Sequence, residues 1–440
     1  MEQVTIGLIG GGTVGGGVYQ ALQRNGGLIA SRSGTRFYVE TVVVRDLEKP
    51  RPVDIPRDRL TIHWREAVEN PKVQLVVELM GGVKTAREVV RRALELGKPV
   101  VTANKALLSA HGEELFELAR KHRTNLYYEA SVAGGIPIIK VLREGLVGNR
   151  ITHLYGILNG TCNYILTRMK FEGLDFGDVL AEAQRLGYAE ADPSLDVDGH
   201  DAAHKAGILA SLAHGFWVGP SQIAVRGIRE ITKLDIQFAG QLGYTIKLLA
   251  KVKRVEVGTG AKSRSRIQVS VSPTLVPNAH VLASVNQVFN AVFVRGDVVG
   301  DTLFYGRGAG QDATASAVLS DLVDAASDLR SGSDSRIPPF ISHDRKGGIQ
   351  PLDESVSAYY LRLSIIDKPG TLAKIAAILG RSKIGISSVI QPEGHEGASV
   401  PLILMTHDSP HSAMVKALQR IGKMSVVKAP PVMFPVESFR

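Results

Sequence analysis

"VTIGLIGGGTVGGGVYQAL", residues 4–22, decides the fold. A short apolar run is followed at once by glycines and then by a segment of helical composition. Gly10, Gly12 and Gly15 form G-x-G-x-x-G at that junction. Each glycine has a physical task there. One allows a tight turn, one lets backbone approach a pyrophosphate, and one lets the helix pack closely on the strand. The helix start adds N–H groups and the positive end of its dipole. Alone, the motif also fits a tight turn with no ligand. Its strand–turn–helix–strand setting points to a dinucleotide.

Working outward, "FYVETVVVRD" (37–46) is β-branched and reads as the second strand, while "GGLIASRSGT" (26–35) reads as a loop. "VQLVVELMGG" (73–82) and "KPVVTANKALLS" (98–109) read as further strands ending in loops. The helical segments "KTAREVVRRALELG" and "AHGEELFELARKH" follow them. Apolar strands alternating with helices predict a parallel, doubly wound, Rossmann-like α/β domain over residues 1–137. The second strand ends in Arg45 and then Asp46. An acid at this place holds a ribose hydroxyl and an arginine accepts a 2′-phosphate, so the reading leans to NADP(H), with NAD(H) open. Lys105 stands just past a strand's C-terminal end, where ligands of open α/β sheets bind. A solvated loop lysine is the plain alternative.

Residues 138–304 change character. "NRITHLYGILNG", "RSRIQVSVSPTLV" and "AVFVRGDVV" are β-rich, with helices between them, and predict an α+β substrate domain on a mostly antiparallel sheet. "GAGQDATASAVLSDLVDAASDL" is a strong helix without a sheet nearby, so about 305–330 is expected to return to the first domain. Residues 331–357, rich in Ser, Gly, Pro and charge, read as a linker. From 358 to 440 the order β-α-β-β-α-β predicts a ferredoxin-like module.

The bulk numbers fit several soluble domains: 440 residues, 44% hydrophobic and 22% charged. No apolar stretch approaches a membrane span, and the N-terminus carries no basic segment or cleavage site, so neither membrane nor secretion is expected. A single cysteine, Cys162, suits the cytoplasm and leaves no disulfide framework or cysteine-rich zinc site. The net charge of +9 is scattered, without basic runs or interleaved aromatics. This argues for small anions as partners and against nucleic acid.

One stretch stands out: "GYAEADPSLDVDGHDAAHKAGILA", residues 187–210, holding Glu190, Asp192, Asp196, Asp198, Asp201 and Lys205. If nicotinamide transfers hydride, the protein must supply a proton carrier and hold the substrate. Asp201 and Lys205 lie four apart on a predicted helix, and small residues around Lys205 leave room for a ligand. Acids at a helix start with an ordinary i,i+4 ion pair, Asp198 being the cap, explain the same pattern. On the residues alone both readings stay open. His200, His204 and His214 form no complete metal set.

Together, "IGLIGGGTVGGGV", "VVTANKALLS", "YYEASVAGGIPII", "GILNGTCNYIL" and the acid-rich stretch resemble bacterial homoserine dehydrogenases over about residues 1–330. The tail around "DKPGTLAKIA" resembles an ACT regulatory domain. The resemblance implies NADPH- or NADH-dependent, reversible reduction of L-aspartate 4-semialdehyde to L-homoserine, toward threonine, methionine and isoleucine. It implies Lys205 as proton carrier, with Glu190, Asp196, Asp201, Gly160 and Thr161 at the substrate. Cofactor contacts are implied for Thr13, Val14, Thr102, Lys105, Gly187 and Gly306 beside the glycine motif. A sodium site is implied at Glu129, Val132, Gly134 and Ile136. Cys162 stands where the family often has another residue and is read as packing. The tail implies an amino-acid effector, threonine, and homodimers or homotetramers, with simple dimerisation as the tail's alternative role. A semialdehyde-oxidising enzyme with a cysteine nucleophile and a nucleotide-sensing regulator without turnover are the rival readings.

Overall fold

The computed structural model describes residues 2–51, 53–258, 264–344, 346–392 and 399–439. The chain divides into two compact units. One comprises Met1–Leu154, His204–Ile223 and Phe289–Gly347; the other comprises Tyr155–Ala203, Ala224–Val288 and Gly348–Arg440.

The first unit is built on β1 (Glu2–Ile9), α1 (Thr13–Ser33), β2 (Thr35–Val43), β3 (Leu60–Thr61), α2 (Trp64–Val68), β4 (Leu75–Glu78), α3 (Lys84–Glu95), β5 (Val100–Thr102), α4 (Lys105–Lys121) and β6 (Leu126–Tyr127). The strands are all parallel in the order β3-β2-β1-β4-β5-β6. The order reverses between β1 and β4, and the carboxyl ends of those strands are where such sheets bind ligands. All four residues of β4 are buried, as a strand covered on both faces requires.

Helix α1 corrects the sequence reading. It does not stop before Gly26 but runs on through Gly26 and Gly27 to Ser33, ending at Gly34 with a left-handed φ of 74°. The glycine pair costs helix stability. Burial beyond it offsets that cost: Ala30 is buried and Ile29 packs on the core. The helix Gln311–Ser331 supplies Ala315, Val318, Leu322 and Ala325 to the same core as Ile6, Leu8, Val18 and Leu22. Among its described residues the Ser-, Gly- and Pro-rich stretch after it is mostly irregular, with a single 3-10 turn at Leu352–Glu354, yet it is tied down. Arg336 pairs with Asp328, Arg143 donates to the Ile337 carbonyl at 2.8 Å, and Tyr128 to the Pro339 carbonyl at 2.7 Å.

In the second unit the strands Tyr244–Val257 and Arg264–Pro277 pair antiparallel. The strand Val432–Val436 joins Arg264–Pro277 in parallel at Leu275. The strands Val356–Ile366, Ser399–Thr406 and Ile386–Ile390 continue the sheet antiparallel beyond it. With helices Thr371–Arg381 and His411–Gly422, the tail is a β-α-β-β-α-β module whose four strands stand in the spatial order fourth, first, third, second. Its own core gathers Leu361, Leu363, Ile375, Leu402 and Met414.

Candidate active site

The glycine turn sits at the carboxyl end of β1. Gly10 has φ 113°, and a Cβ there would lie 2.6 Å from the Leu79 carbonyl oxygen. A Cβ on Gly15 would lie 1.8 Å from the Gly10 carbonyl oxygen, so only glycine lets α1 leave the strand so tightly. A Cβ on Gly12, the α1 N-cap, would meet open space. A cleft of about 780 Å³ lies there, lined by Gly10, Gly12, Thr13 and Arg45. Lys49, Arg51, Trp64 and Lys84, which the sequence reading did not single out, line it too. Arg51 is not spare charge: its guanidinium donates to the backbone carbonyls of Asp46 and Leu47 and shapes the loop behind Arg45. Val14 and Gly15 are not among these lining residues, and Gly15 is buried. A second cleft of about 840 Å³ beside α3 is lined by ion-paired side chains, including Arg87, Arg91 and Arg92. That mutual neutralisation makes it a poor anion site.

At the ends of β4 and β5 the buried Glu78 organises the turn. Its carboxylate accepts from Thr102 Oγ1 at 2.7 Å and from the Met80 N–H at 2.9 Å. Burial nevertheless raises its pKa above the ordinary range. Thr102 is therefore spent on Glu78, deep in the protein. Asn104 caps α4 by accepting from the Leu107 N–H at 3.0 Å and donates to the Gly82 carbonyl at 2.7 Å. Lys105 opens α4 directly after this cap and is half-buried.

In the second unit Asn159 caps the helix Gly160–Glu172 through its side-chain oxygen, which accepts from the Cys162 N–H at 2.8 Å. Its Nδ2 donates to Asp196 Oδ1 at 2.7 Å and to Asp201 Oδ2 at 2.9 Å. Thr161 Oγ1 lies 2.7 Å from the Tyr188 carbonyl oxygen and 3.3 Å from Asp196 Oδ2; with one proton to give, it serves the nearer carbonyl. Gly160, Thr161, Asp196 and Asp201 are thus brought together. The sequence reading missed Asn159, although an Asn between a strand and a helix is itself an N-cap signal.

Asp201 and Lys205 lie one turn apart on the helix His200–His214, 3% and 7% exposed. Ala202, Ala203 and Ala206 beside them are buried. This depth argues against a mere surface ion pair. Glu190 is exposed, and its backbone carbonyl accepts from Gln184. Gly187, φ 75°, ends the turn after the helix Phe176–Arg185 and is exposed. Asp198 is not the cap predicted for it: the helix begins at His200 after Gly199, and the Asp198 carboxylate pairs with Arg229 instead. Asp192 has a local task, accepting from the Ser194 N–H at 3.0 Å, and those hydrogen bonds hold its pKa below the usual range.

The residues read as a cation site lie in the first unit. The buried Glu129 carboxylate accepts from the Ile139 and Lys140 N–H groups at 2.9 and 2.7 Å, and Asp321 accepts from the Glu129 N–H at 2.8 Å. Burial pushes Glu129 up to about 7 and Asp321 well above its ordinary value. Ala133 and Gly134 are both left-handed, turning the chain between Val132 and Ile136. A Cβ on Gly306 would come within 3.2 Å of the Ile136 side chain. Among the described residues no group of three or more His, Cys, Asp or Glu could hold a metal ion. No described helix is long and apolar enough to cross a membrane.

Comparison with known proteins decides the family. Residues 10–129 match the NAD-binding domain of homoserine dehydrogenase, and residues 137–323 match the homoserine dehydrogenase domain. The chain is 44% identical to the homoserine dehydrogenase of Pseudomonas aeruginosa over 99% of both chains. The chain belongs to the homoserine dehydrogenase family. The crystal structure of the Thiobacillus denitrificans homoserine dehydrogenase superposes with a TM-score of 0.90 at 42% identity, covering 99% of this chain and 98% of that one. A hyperthermophilic archaeal homoserine dehydrogenase, solved in complex with NADPH, superposes at 0.60 and 29% identity, covering 74% of this chain and 98% of that one. As a homoserine dehydrogenase, the chain is a nicotinamide-dependent oxidoreductase acting on a small-molecule substrate. The glycine turn and its cleft suit the dinucleotide.

Proposed function

We propose that Lys205 is the proton carrier in the reversible reduction of L-aspartate 4-semialdehyde to L-homoserine, with Asp196, Asp201 and Glu190 receiving the substrate's ammonium group. The carrying observation is the depth of Asp201 and Lys205, one turn apart on one helix, with Asp201 joined through Asn159 to Asp196. The nicotinamide, when bound, supplies or accepts the hydride. The Lys205 ammonium gives its proton to the carbonyl oxygen as the alkoxide develops and recovers it in the oxidation direction. Gly160 and Thr161 border the substrate. Lys105, at the start of α4 beside the β5 end, serves cofactor and substrate.

NADP(H) is the preferred cofactor in this reading, because Arg45 lines the cleft where β2 ends and a 2′-phosphate would lie. The bound NADPH of the archaeal relative agrees with that preference. The Glu129 turn fits a monovalent cation: Glu129 and the carbonyls of Val132, Gly134 and Ile136 would hold it, and its charge would relieve the two buried acids. The tail is read as an ACT domain that binds threonine as feedback inhibitor, in a cytoplasmic homodimer or homotetramer. Its support is the fourth-first-third-second strand order.

The test is a steady-state assay of homoserine oxidation with NADP⁺ and NAD⁺, with and without threonine, for the natural protein and Lys205→Ala. The variant should lose most of kcat, at least about a hundredfold, with little change in cofactor affinity. Near-normal turnover would remove Lys205 from the proton path. Unchanged rates under threonine would remove the effector.

A further inference from the structure

We infer that Asn159 is a positioning residue of the substrate site, one amide that holds two acids ready for an ammonium ion. This rests on the reading of Asp196 and Asp201 as substrate acids. Asn159 is 4% exposed, and all three of its hydrogen-bonding directions named above are engaged. The two protons of Nδ2 go to two different carboxylates, Asp196 at 2.7 Å and Asp201 at 2.9 Å. Those acids are 5 positions apart in sequence, on different elements: Asp196 in the short helix Ser194–Val197, Asp201 in the helix His200–His214. A single nitrogen within reach of both makes them close neighbours. Two close anions repel, and one tends to take up a proton. A donor shared between them favours the charged form of each.

The oxygen end of the same amide fixes where that donor stands. It caps the helix Gly160–Glu172, so the amide cannot rotate without uncapping the helix. That helix also directs its positive dipole end toward the acids. The Thr161 hydroxyl and the Cys162 thiol add contacts to the same segment: Thr161 to the Tyr188 carbonyl, Cys162 to the Asp196 carbonyl at 3.2 Å. Asp196 is therefore held at both its backbone and its carboxylate. The substrate's ammonium meets acids already oriented, which lowers the ordering cost of binding.

Capping and positioning can be separated, because Ser and Asp cap helices about as well as Asn but cannot donate two N–H bonds. Asn159→Ser should keep the cap and most of the melting temperature, whereas Asn159→Asp, which sets a third anion beside two acids, should lower it. Both should raise KM for homoserine about tenfold or more, the loss expected when charge-assisted hydrogen bonds disappear. KM for the cofactor should stay unchanged, and the acid limb of kcat/KM against pH should move to higher pH. Asn159→Asp should move it further, since it adds a third anion. Wild-type homoserine KM and pH profile in Asn159→Ser, with or without a lower melting temperature, would overturn the inference. Should one variant not fold, the other decides by the same limb. Asp201→Asn is the control. If it keeps the natural KM, the reading of Asp201 itself fails; if it raises KM while both Asn159 variants do not, only the role of Asn159 fails.

Discussion

At Gly15 the space for a side chain is already taken. A methyl group would stand 1.8 Å from the Gly10 carbonyl oxygen, and backbone cannot yield as a flexible side chain can. Gly15→Ala should therefore push α1 away from β1, destabilise the fold by about 1–3 kcal/mol and abolish most cofactor affinity. Nucleotide titration by fluorescence together with a urea melt checks both effects; natural affinity would mean that the turn relaxes without moving the phosphates' site. Arg45 carries a separate expectation. Arg45→Ala should weaken NADPH at least about tenfold more than NADH, as loss of a charge-assisted contact implies. Equal effects on the two cofactors would place the 2′-phosphate elsewhere in the cleft, with Lys49 and Lys84 the next cations to vary. Cys162 is fully buried and its thiol faces the Asp196 carbonyl, a poor setting for a nucleophile. Cys162→Ala should keep its turnover, whereas abolished activity with an intact fold would give the thiol a part in the reaction.

Among the elements, the strand Tyr244–Val257 carries an unusual load. Its Lys247 is 1% exposed and donates to Asn163 Oδ1 at 3.1 Å, Asn286 Oδ1 at 3.2 Å and the Val285 carbonyl. It thereby pins the loop after Val281–Ser284 to the helix Gly160–Glu172. Burial, with Lys170 nearby, pushes its pKa down to about 7. An unfolded lysine keeps its proton to about pH 10.4. Between those values the unfolded chain binds more protons than the native one, so this group makes stability rise with pH. Below about 7 both states are charged and its contribution is flat. Urea unfolding at several pH values should thus show the natural protein gaining on Lys247→Met from pH 7 to 10. A constant difference between the two would show that the three acceptors keep the ammonium charged throughout.

At the scale of the whole chain, the tail is joined to the rest of the second unit by more than a peptide bond. The strand Val432–Val436 pairs with Arg264–Pro277, the Glu437 N–H donates to the Leu275 carbonyl at 3.0 Å, and the Glu437 carboxylate meets Lys253 at 2.6 Å. Burial tends to raise Glu437, but Lys253 and Lys251 hold it below its ordinary value. A second tie is Asp235, fully buried, which receives Arg362 Nε at 2.7 Å and the Tyr360 hydroxyl at 3.0 Å while capping its own helix with Thr232. Asp235→Ala leaves a half-buried guanidinium and a tyrosine hydroxyl without their carboxylate. It should cost about 3 kcal/mol in chemical denaturation and loosen the tail's response to any effector. A loss under about 0.5 kcal/mol would mean that the sheet pairing alone holds the module. The archaeal relative, which covers only 74% of this chain, shows that the family's fold can stand with about that much of it.

By itself the sequence determined what local patterns can carry. Glycine spacing and apolar alternation specify a parallel nucleotide-binding sheet, because turn geometry and periodicity act within a few residues. The β-α-β-β-α-β order of the tail is legible for the same reason. Lys205 and the acids around it stand out in the sequence, but helix capping with an ordinary ion pair explains the same pattern, and burial adds only that Asp201 and Lys205 lie inside the protein. Tertiary structure alone decided three matters. Helix α1 passes through Gly26 and Gly27 because beyond them Ala30 is buried and Ile29 packs on the core. Asp198 turns to Arg229, 31 positions away, instead of capping. Asn159 reaches Asp196 and Asp201, 37 and 42 positions on. Each is a contact between residues far apart in the chain, and such contacts are set by packing, which no local pattern encodes.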